Sequence, residues 1–390
     1  MKKLLSIFLI ITMFLLSYST VFAKNDTNYT AENNSLIGDV AAKSAVLMEA
    51  ETGEVIYSKN ECEEYSPASV TKIMTLLLAA EALDAGNFLP DDKVRISSYA
   101  ASMGGSQVFL EADEEISVEE LIKCAVIASA NDAAVALAEL VCGNEEAFVN
   151  KMNMRARELG MKNSNFENVT GLDDTTQNHV TSALDIAIMS RELIKHEIIL
   201  KYSSLWQDTI RNGEFTLTNT NRLVRFYDGC NGLKTGSTDK AGYCVSATAK
   251  RGNMQLIAVV MGADTRDSRN EIARKMLDFG FATYTLYNQN ENPLESVPVK
   301  FGIKDSCMLY EGEFKALLKK ADYSKIEKVY NLPKTINAKI ESGAPVGNVE
   351  YYVNGEKIGE SEIYAKETIE KIGFFMLWKR VIEGIFICSK

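Results

Sequence analysis

Histidine is scarce in this sequence of 390 residues, with His179 and His196 as the only two. They do not form the His-x-x-x-His spacing of zinc hydrolases, so that type of metal site is excluded. A Ser-His-Asp triad would have to use one of them, and no nucleophile-elbow sequence is present to pair with either. A hydrolase built from this chain therefore needs a base other than imidazole.

Cysteine usage and charge limit the possible classes further. The seven cysteines are an odd number, and their spacing suggests no metal site. In an exported protein this pattern indicates mostly free thiols rather than a disulfide framework, although a bridge between Cys230 and Cys244 stays open. The formal net charge of −11 argues against nucleic acid as a partner.

The N-terminal segment has the composition of a targeting signal. Residues 1–23 contain Lys2 and Lys3, then an apolar run, then an acceptable cleavage site ending at Ala23, and they predict a secretory signal peptide. An uncleaved N-terminal anchor is the alternative. In both cases the protein is expected to be exported, to the outer face of the cytoplasmic membrane or the cell wall. Residues 24–37 are polar and Asn-rich, and they predict a flexible leader.

The C-terminal segment, residues 367–390, combines apolar stretches with charged positions. Lys379, Arg380 and Glu383 interrupt the apolar run, so a full membrane span is not expected. An amphipathic helix with Trp378 at the level of the lipid headgroups fits this composition, and we expect it to associate with the membrane surface. A helix packed on its own domain is the alternative.

Between these ends the sequence predicts two folded units. In residues 38–286, strand patterns lie at both ends and helical patterns lie between them. This order indicates an α+β fold, an antiparallel sheet whose first and last strands meet, with an inserted helical lobe. Residues 287–294 look like a linker. Residues 295–366 carry short alternating stretches with a hairpin turn, and they predict a small, β-sandwich-like domain.

The candidate catalytic stretch is residues 66–72, followed by a dense apolar run that predicts a buried helix. Ser66 is a good N-cap and Pro67 suits the first helical position. Ser69 and Lys72 then lie three residues apart on one face. A lysine that loses solvent has a lowered pKa, so Lys72 could act as a base for the Ser69 hydroxyl.

A Ser-x-x-Lys match alone is weak evidence, because the pattern also occurs at Ser237 to Lys240. Its ordinary interpretation is a capped helix with a solvated lysine. The interpretation changes because two further short motifs follow in order, one between two apolar helical stretches and one opening a run of strands. The three motifs are Ser69-Val70-Thr71-Lys72, Ser129-Ala130-Asn131 and Lys234-Thr235-Gly236.

With these motifs the sequence resembles the low-molecular-mass penicillin-binding proteins that are serine-type D-Ala-D-Ala carboxypeptidases. The likeness is close over residues 40–285, and it includes Thr170 to Asp173, the segment 179–187 and the third-motif strand with its continuation to Tyr243. It is looser over the β-rich piece and the tail. The resemblance implies the penicillin-binding/β-lactamase-like transpeptidase fold.

The resemblance also implies residue roles. Ser69 would attack the substrate carbonyl, Lys72 would take its proton, and Ser129 would relay a proton to the departing amine. Lys234 and Asn131 would keep Lys72 neutral or correctly placed. The backbone N–H groups of Ser69 and Ser237 would form an oxyanion hole. The set proposed for substrate binding is Asn131, Lys234, Thr235, Gly236, Ser237 and, for the substrate carboxylate, Arg269.

The implied activity is removal of the terminal D-Ala from peptidoglycan stem peptides, with β-lactams as inhibitors and with no metal or cofactor. A β-lactamase and a non-catalytic penicillin-binding or wall-binding protein are the alternatives. Glu167 lacks the sequence context of a deacylating glutamate, and Ala130 stands where β-lactamases usually have aspartate. Both differences favour slow hydrolysis of β-lactam adducts. His179 is interpreted as a structural residue that holds the 170–185 loop.

Overall fold

The computed structural model describes residues 36–174 and 176–387. Its centre is a five-stranded antiparallel sheet in the strand order β2-β1-β9-β8-β7. The first hairpin of the chain pairs with the last strands of the unit, because β1 lies beside β9. The strands are β1 (Ser44–Glu49), β2 (Val55–Lys59), β7 (Cys230–Thr238), β8 (Gly242–Arg251) and β9 (Met254–Ala263).

Helices and two small two-stranded sheets form a lobe on one face of this sheet. The lobe contains α1 (Lys72–Asp84), β3 (Lys93–Arg95), α2 (Ser98–Ala101), β4 (Glu115–Ser117), α3 (Val118–Lys123), α4 (Asn131–Cys142), α5 (Glu145–Glu158), α6 (Ala183–Leu193), α7 (Glu197–Ser203), β5 (Gln207–Ile210) and β6 (Phe215–Thr218). The short helix α8 (Leu223–Phe226) packs its Leu223 into the apolar cluster on the opposite face. The opposite face is covered by α9 (Arg266–Thr283). The α+β prediction is therefore confirmed.

Alternation along the strands divides the apolar residues between two cores. On β1, Val46 packs toward the helical lobe, and Leu47 packs toward α9. Helix α1 runs through the first core and is buried along most of its length, as its dense apolar run predicts. Ile37 is also buried, so packing begins before the end of the leader predicted over 24–37.

The start of the catalytic helix differs from the prediction. Ser66 does not cap it, and the chain forms a 3-10 turn over Ala68–Thr71 before α1 begins at Lys72. Ala68 has a positive φ of 47°, which interrupts the helical path between Ser66 and the amides it would need to reach. Ser69 therefore lies in the tighter turn, and Lys72 is the first residue of the α-helix.

Two other predicted helices are interrupted. The helical pattern over 118–141 breaks into α3, a π-helical turn at Cys124–Ala128 and α4, with Ser129 in the left-handed region at φ 63°. The pattern over 181–198 divides into α6 and α7. The first break projects Ser129 from a bend instead of a helix face, and π-type turns are frequent at functional sites.

The third motif lies on β7, which is an edge strand of the sheet. Its register with β8 pairs Gly236 with Cys244 and Cys230 with Ala249. These pairings separate the two cysteines along the ladder, and both are free thiols. The bridge that the sequence left open is therefore absent.

The C-terminal region is rich in short strands. The segment predicted as a linker is wrong in its first part, because Tyr284–Gln289 forms β10 and pairs with β15. The remaining strands surround a separate apolar cluster. They are β11 (Asn292–Pro293), β12 (Val297–Lys300), β13 (Ser306–Cys307), β14 (Leu309–Glu311), β15 (Phe314–Lys319), β16 (Ile326–Asn331), β17 (Ile336–Asn337), β18 (Pro345–Val353) and β19 (Glu356–Ala365).

The chain continues into α10, Phe374–Ile387. Among residues 36–174 and 176–387, no helix has the length and apolar character needed to cross a bilayer. The predicted signal peptide at 1–23 and most of the predicted leader lie outside the described residues.

Candidate active site

Ser69 and Lys72 meet at the junction between the helical lobe and the sheet. The Lys72 Nζ atom is 3.1 Å from the Ser69 Oγ atom, and it donates a hydrogen bond of 2.9 Å to the carbonyl oxygen of Thr170. Ser69 is half-buried, whereas Lys72 is completely buried. The hydroxyl is thus accessible to a substrate while the amine beneath it is shielded from water.

Burial lowers the pKa of Lys72 well below its usual value, and repulsion by Lys234 lowers it further. The carboxylate of Asp132 acts in the opposite direction with a smaller effect. A neutral amine can accept the Ser69 proton through its lone pair while one N–H still donates to Thr170. The pair therefore has the chemistry of a nucleophile and its general base.

The second and third motifs also meet. Lys234 Nζ donates a hydrogen bond of 2.7 Å to Ser129 Oγ, and another of 3.0 Å to its neighbouring carbonyl, that of Thr235. Burial lowers the pKa of Lys234 to about 7, with a contribution from the nearby cationic Arg269. The chain Lys234–Ser129 is a short path along which a proton can be exchanged.

Asn131 presents an acceptor to the same cleft. Its Nδ2 donates a hydrogen bond of 2.7 Å to the Gly104 carbonyl oxygen. Its backbone N–H donates one of 2.7 Å to the Ser106 carbonyl oxygen. Its Oδ1 is buried and has no hydrogen-bond partner in the described part of the chain. A buried acceptor without a partner costs free energy, so this atom is suited to a ligand N–H.

Asp132, a buried residue that supports the site, was missed by the sequence analysis. Its buried carboxylate accepts backbone N–H bonds from Val108 and Leu110, and so holds the loop next to Asn131. The signal was its place directly after the second motif. Its role could not be read there, because both donors come from a loop more than 20 residues away.

The third-motif strand lies directly against the nucleophile turn. A side chain at Gly236 would come within 2.8 Å of the Ser69 nitrogen and 2.9 Å of the Val70 nitrogen. Glycine is therefore required for this approach. The contact brings the β7 backbone beside the Ser69 amide, which is the arrangement an oxyanion hole from Ser69 and Ser237 would need. Thr235 lies next along, with its hydroxyl donating to Thr220 Oγ1 at 2.8 Å.

Arg269 is held behind this strand, and the hydrogen bonds of its guanidinium go to Asn270 and Cys244. It is buried in the first turn of α9, where its guanidinium donates to Asn270 Oδ1 at 3.0 and 3.1 Å and to the Cys244 carbonyl at 3.3 Å. Cys244 pairs with Gly236 across the sheet. Arg269 therefore contributes positive charge near Lys234, and its direct contact with a substrate carboxylate stays a prediction.

His179 braces the nucleophile turn from the side. Its Nδ1 accepts the Glu167 backbone N–H at 3.0 Å, which leaves the ring proton on Nε2, 2.8 Å from Thr71 Oγ1. The Thr71 hydroxyl in turn donates to the Ala68 carbonyl at 2.8 Å. His179 thus belongs to a relay that fixes the backbone just before Ser69, and it makes no contact with the Ser69 hydroxyl.

This relay predicts a pH-dependent stability. Burial lowers the pKa of His179 to about 4, from 6.5 in the unfolded chain. As the pH falls below 6.5 the unfolded state gains a proton first, so stability present at pH 7 is lost toward pH 4. Between pH 7 and pH 5 we expect wild type to lose about 2 kcal/mol more than His179→Gln in urea unfolding. Equal losses in the two proteins would contradict this.

An antiparallel sheet with a helical lobe, and a serine flanked by two buried lysines at their junction, define the class of active-site serine penicillin-binding proteins. Residues 27–265 match the D-alanyl-D-alanine carboxypeptidase family, and residues 281–371 match the penicillin-binding protein 5 C-terminal domain. The chain belongs to the D-alanyl-D-alanine carboxypeptidase family.

Three known proteins illustrate the relationship. D-alanyl-D-alanine carboxypeptidase DacF of Bacillus subtilis is 46% identical over 390 residues, which cover 98% of each chain. Penicillin binding protein 5 from Haemophilus influenzae superposes with a TM-score of 0.75 at 31% identity, covering 86% of this chain and 99% of that one. Penicillin-binding protein D2 from Listeria monocytogenes, solved in an ampicillin-bound form, superposes with a TM-score of 0.57 at 32% identity, covering 63% of this chain and 98% of that one.

Proposed function

We propose that this enzyme removes the terminal D-Ala from peptidoglycan pentapeptide stems through an acyl-enzyme on Ser69. The observation that carries the proposal is the 3.1 Å contact between Ser69 Oγ and the buried amine of Lys72. Because its pKa is strongly lowered, Lys72 can act as the general base, a role that histidine has in many other serine hydrolases. Family membership supplies the substrate class.

In acylation, Ser69 Oγ attacks the carbonyl carbon of the D-Ala-D-Ala bond while Lys72 Nζ takes the hydroxyl proton. The N–H groups of Ser69 and Ser237 stabilise the resulting oxyanion, an effect on the order of 10²–10³ in rate per donor. The C–N bond then breaks as Ser129, which accepts a hydrogen bond from Lys234, passes its proton to the leaving amine. The proton that Lys72 took from Ser69 replaces the one that Ser129 gave up, so Lys72 is neutral again before deacylation begins. Free D-Ala departs.

In deacylation, a water molecule attacks the ester carbonyl, and Lys72 again accepts the proton. The Ser69 oxygen leaves with a proton, and the shortened stem carries a new carboxylate. A stem without its terminal D-Ala cannot serve as an acyl donor in cross-linking, so the activity limits cross-linking of the wall.

The remaining residues position the substrate. The terminal carboxylate would contact Lys234 and Thr235, with the charge of Arg269 behind them. The unpartnered Oδ1 of Asn131 would accept an N–H from the stem peptide. β-Lactams acylate the same serine in this scheme and act as inhibitors.

A β-lactamase is the second candidate, and the contacts of Glu167 speak against it. Its carboxylate accepts the backbone N–H groups of Gln177 and Asn178 at 2.8–3.1 Å. A glutamate used to close its own loop does not activate water in the cleft. Repeated, fast hydrolysis of a chromogenic cephalosporin would favour this alternative.

The test is release of D-Ala from a muramyl pentapeptide, with mass-spectrometric mapping of the penicillin-modified residue. We expect wild type to release D-Ala and to carry the adduct on Ser69, and we expect both signals to vanish in Ser69→Ala. Ser66→Ala is a matched control, because Ser66 lies three residues earlier and does not cap the helix. A penicillin-labelled wild type that releases no D-Ala from any pentapeptide would refute the proposal.

The same proposal places the enzyme outside the cytoplasm, where its substrate is. We also propose that α10 lies on the membrane surface. Its side chains support this, since Phe374, Phe375 and Trp378 are each more than 60% exposed on a short helix.

A further inference from the structure

A second exposed apolar group lies on the C-terminal region, at the loop between β12 and β13. Phe301 is 57% exposed and Ile303 is 41% exposed at the tip of this loop. Phe301 also has a positive φ of 60°, a conformation that costs a bulky residue free energy. An aromatic side chain that is held exposed despite this backbone cost indicates that the loop tip is an interaction surface.

This tip is bonded to the segment that leads into α10, where Gly302 and Lys371 form an isolated β-bridge. Phe301 accepts the backbone N–H of Ile372 at 2.7 Å, and Ile303 donates its N–H to the Glu370 carbonyl at 2.9 Å. Gly302, between them, packs so closely on Ile369 that a side chain there would lie 3.0 Å from it. The tip and residues 370–372, which lead into α10, are therefore fixed at the same end of the molecule.

We propose that the tip formed by Phe301 and Ile303 is a second membrane contact, which inserts into the headgroup region beside α10. The inference rests on the proposed membrane association of α10. An aromatic and a branched aliphatic side chain at a loop tip match the apolar face that interfacial segments bury.

Charged side chains of both signs surround the tip, since Asp305 is exposed in the loop itself and Glu370, beside it, is paired with Lys339. Such a mixed ring suits the headgroup level of a lipid surface. Lys300 and Lys371 are exposed on either side of it, and Lys304 is paired with Glu367. Lysines at this level keep their ammonium groups among headgroups while their apolar stems lie along the interface. A protein partner would not need the tip to be continuous with a lipid-binding helix.

Two membrane contacts, α10 and the loop tip, would fix the orientation of the enzyme on the bilayer, which a single contact would not. Gly373 joins the body to α10, and glycine has wider backbone freedom than other residues, so contact through the helix alone would fix the orientation of the enzyme only weakly. A second contact on the rigid β region, bonded to residues 370–372, fixes the orientation of the body relative to the bilayer. The cleft would then face the wall at a set height.

The test uses the mature full-length chain and sedimentation with vesicles of phosphatidylcholine and phosphatidylglycerol. We expect the double variant Phe301→Ser and Ile303→Ser to weaken vesicle partitioning about tenfold, because two apolar side chains lose their interfacial burial. Phe226→Ser is the matched control, since Phe226 is 62% exposed and lies on the catalytic unit. Penicillin labelling of each variant verifies its fold.

A second readout does not depend on affinity. In a chain with Trp206→Phe and Trp378→Phe, the substitution Phe301→Trp should give an emission blue shift when vesicles are added. Wild-type partitioning in the double variant, together with no shift for Phe301→Trp, would overturn the inference while vesicle binding by wild type persists. If wild type itself does not bind vesicles, or binds no better than a chain ending at residue 372, which keeps the segment bonded to the tip, the proposed role of α10 fails first.

Discussion

Replacing Lys72 with arginine is expected to lower the rate of penicillin acylation by about 10³-fold. A guanidinium does not lose its proton at any working pH, so it cannot accept one from Ser69. The same substitution would place a permanent charge in a fully buried position beside Lys234, where the carboxylate of Asp132 offsets it only in part. Acylation is measured with a fluorescent penicillin at several times after mixing.

A second substitution at the same position distinguishes loss of the general base from loss of protein stability. Lys72→Met keeps the apolar stem and removes both the charge and the lone pair. Because a buried amine is costly, we expect this variant to be at least as stable as wild type in urea and still unable to acylate. Acylation at the wild-type rate in Lys72→Met would mean that another group is the base.

The control is provided by the second Ser-x-x-Lys pattern of the chain. Lys240 is exposed, three residues after Ser237, and no buried helix follows it. Lys240→Arg keeps the charge, so acylation should be unchanged. The comparison tests whether burial, rather than the short pattern, makes a lysine a base. In wild type, acylation should remain fast at pH 8, where an ordinary lysine would be only about 0.4% neutral.

Whether a contact in the site could be predicted depends on how far apart in the chain its two residues lie. Ser69 and Lys72 could be predicted together because one turn of chain brings them into contact. The meeting of Lys234 with Ser129 joins residues 105 apart, and only the resemblance to a family predicted it. Physical reasoning from the residues alone reaches the first contact and not the second.

The predictions of local structure that were wrong, the start of the catalytic helix and the linker, share one cause. The turn at Ala68 is held by the Thr71 hydroxyl, which is contacted by His179, and it packs against Gly171; His179 and Gly171 lie far along the chain. The Asn-rich composition of 287–294 indicated a linker, yet β10 forms there because β15 supplies its hydrogen bonds. In each case a distant partner decided the local structure, against the local composition.

Gly171→Ala is expected to be among the most damaging single-atom additions in the chain. Gly171 has φ 82°, and an added side chain would lie 1.8 Å from the Ala68 carbonyl oxygen and 2.7 Å from Thr71 Oγ1. The backbone must move, and the nearest backbone is the turn that carries Ser69. We expect acylation to fall by about 10²-fold, since a shift of about 1 Å in a reacting group can cost that much.

Gly143→Ala separates the steric effect from the cost of the left-handed backbone. Gly143 has φ 81°, nearly the same as Gly171, but a side chain there would meet open space. It should lose about 1 kcal/mol in urea unfolding and keep its acylation rate. Gly171→Ala should lose about 2–3 kcal/mol more than that. If the two variants lost equal stability and both acylated normally, the 170–172 segment would not brace the nucleophile turn, and the precise placement of Ser69 would have to come from β7 alone.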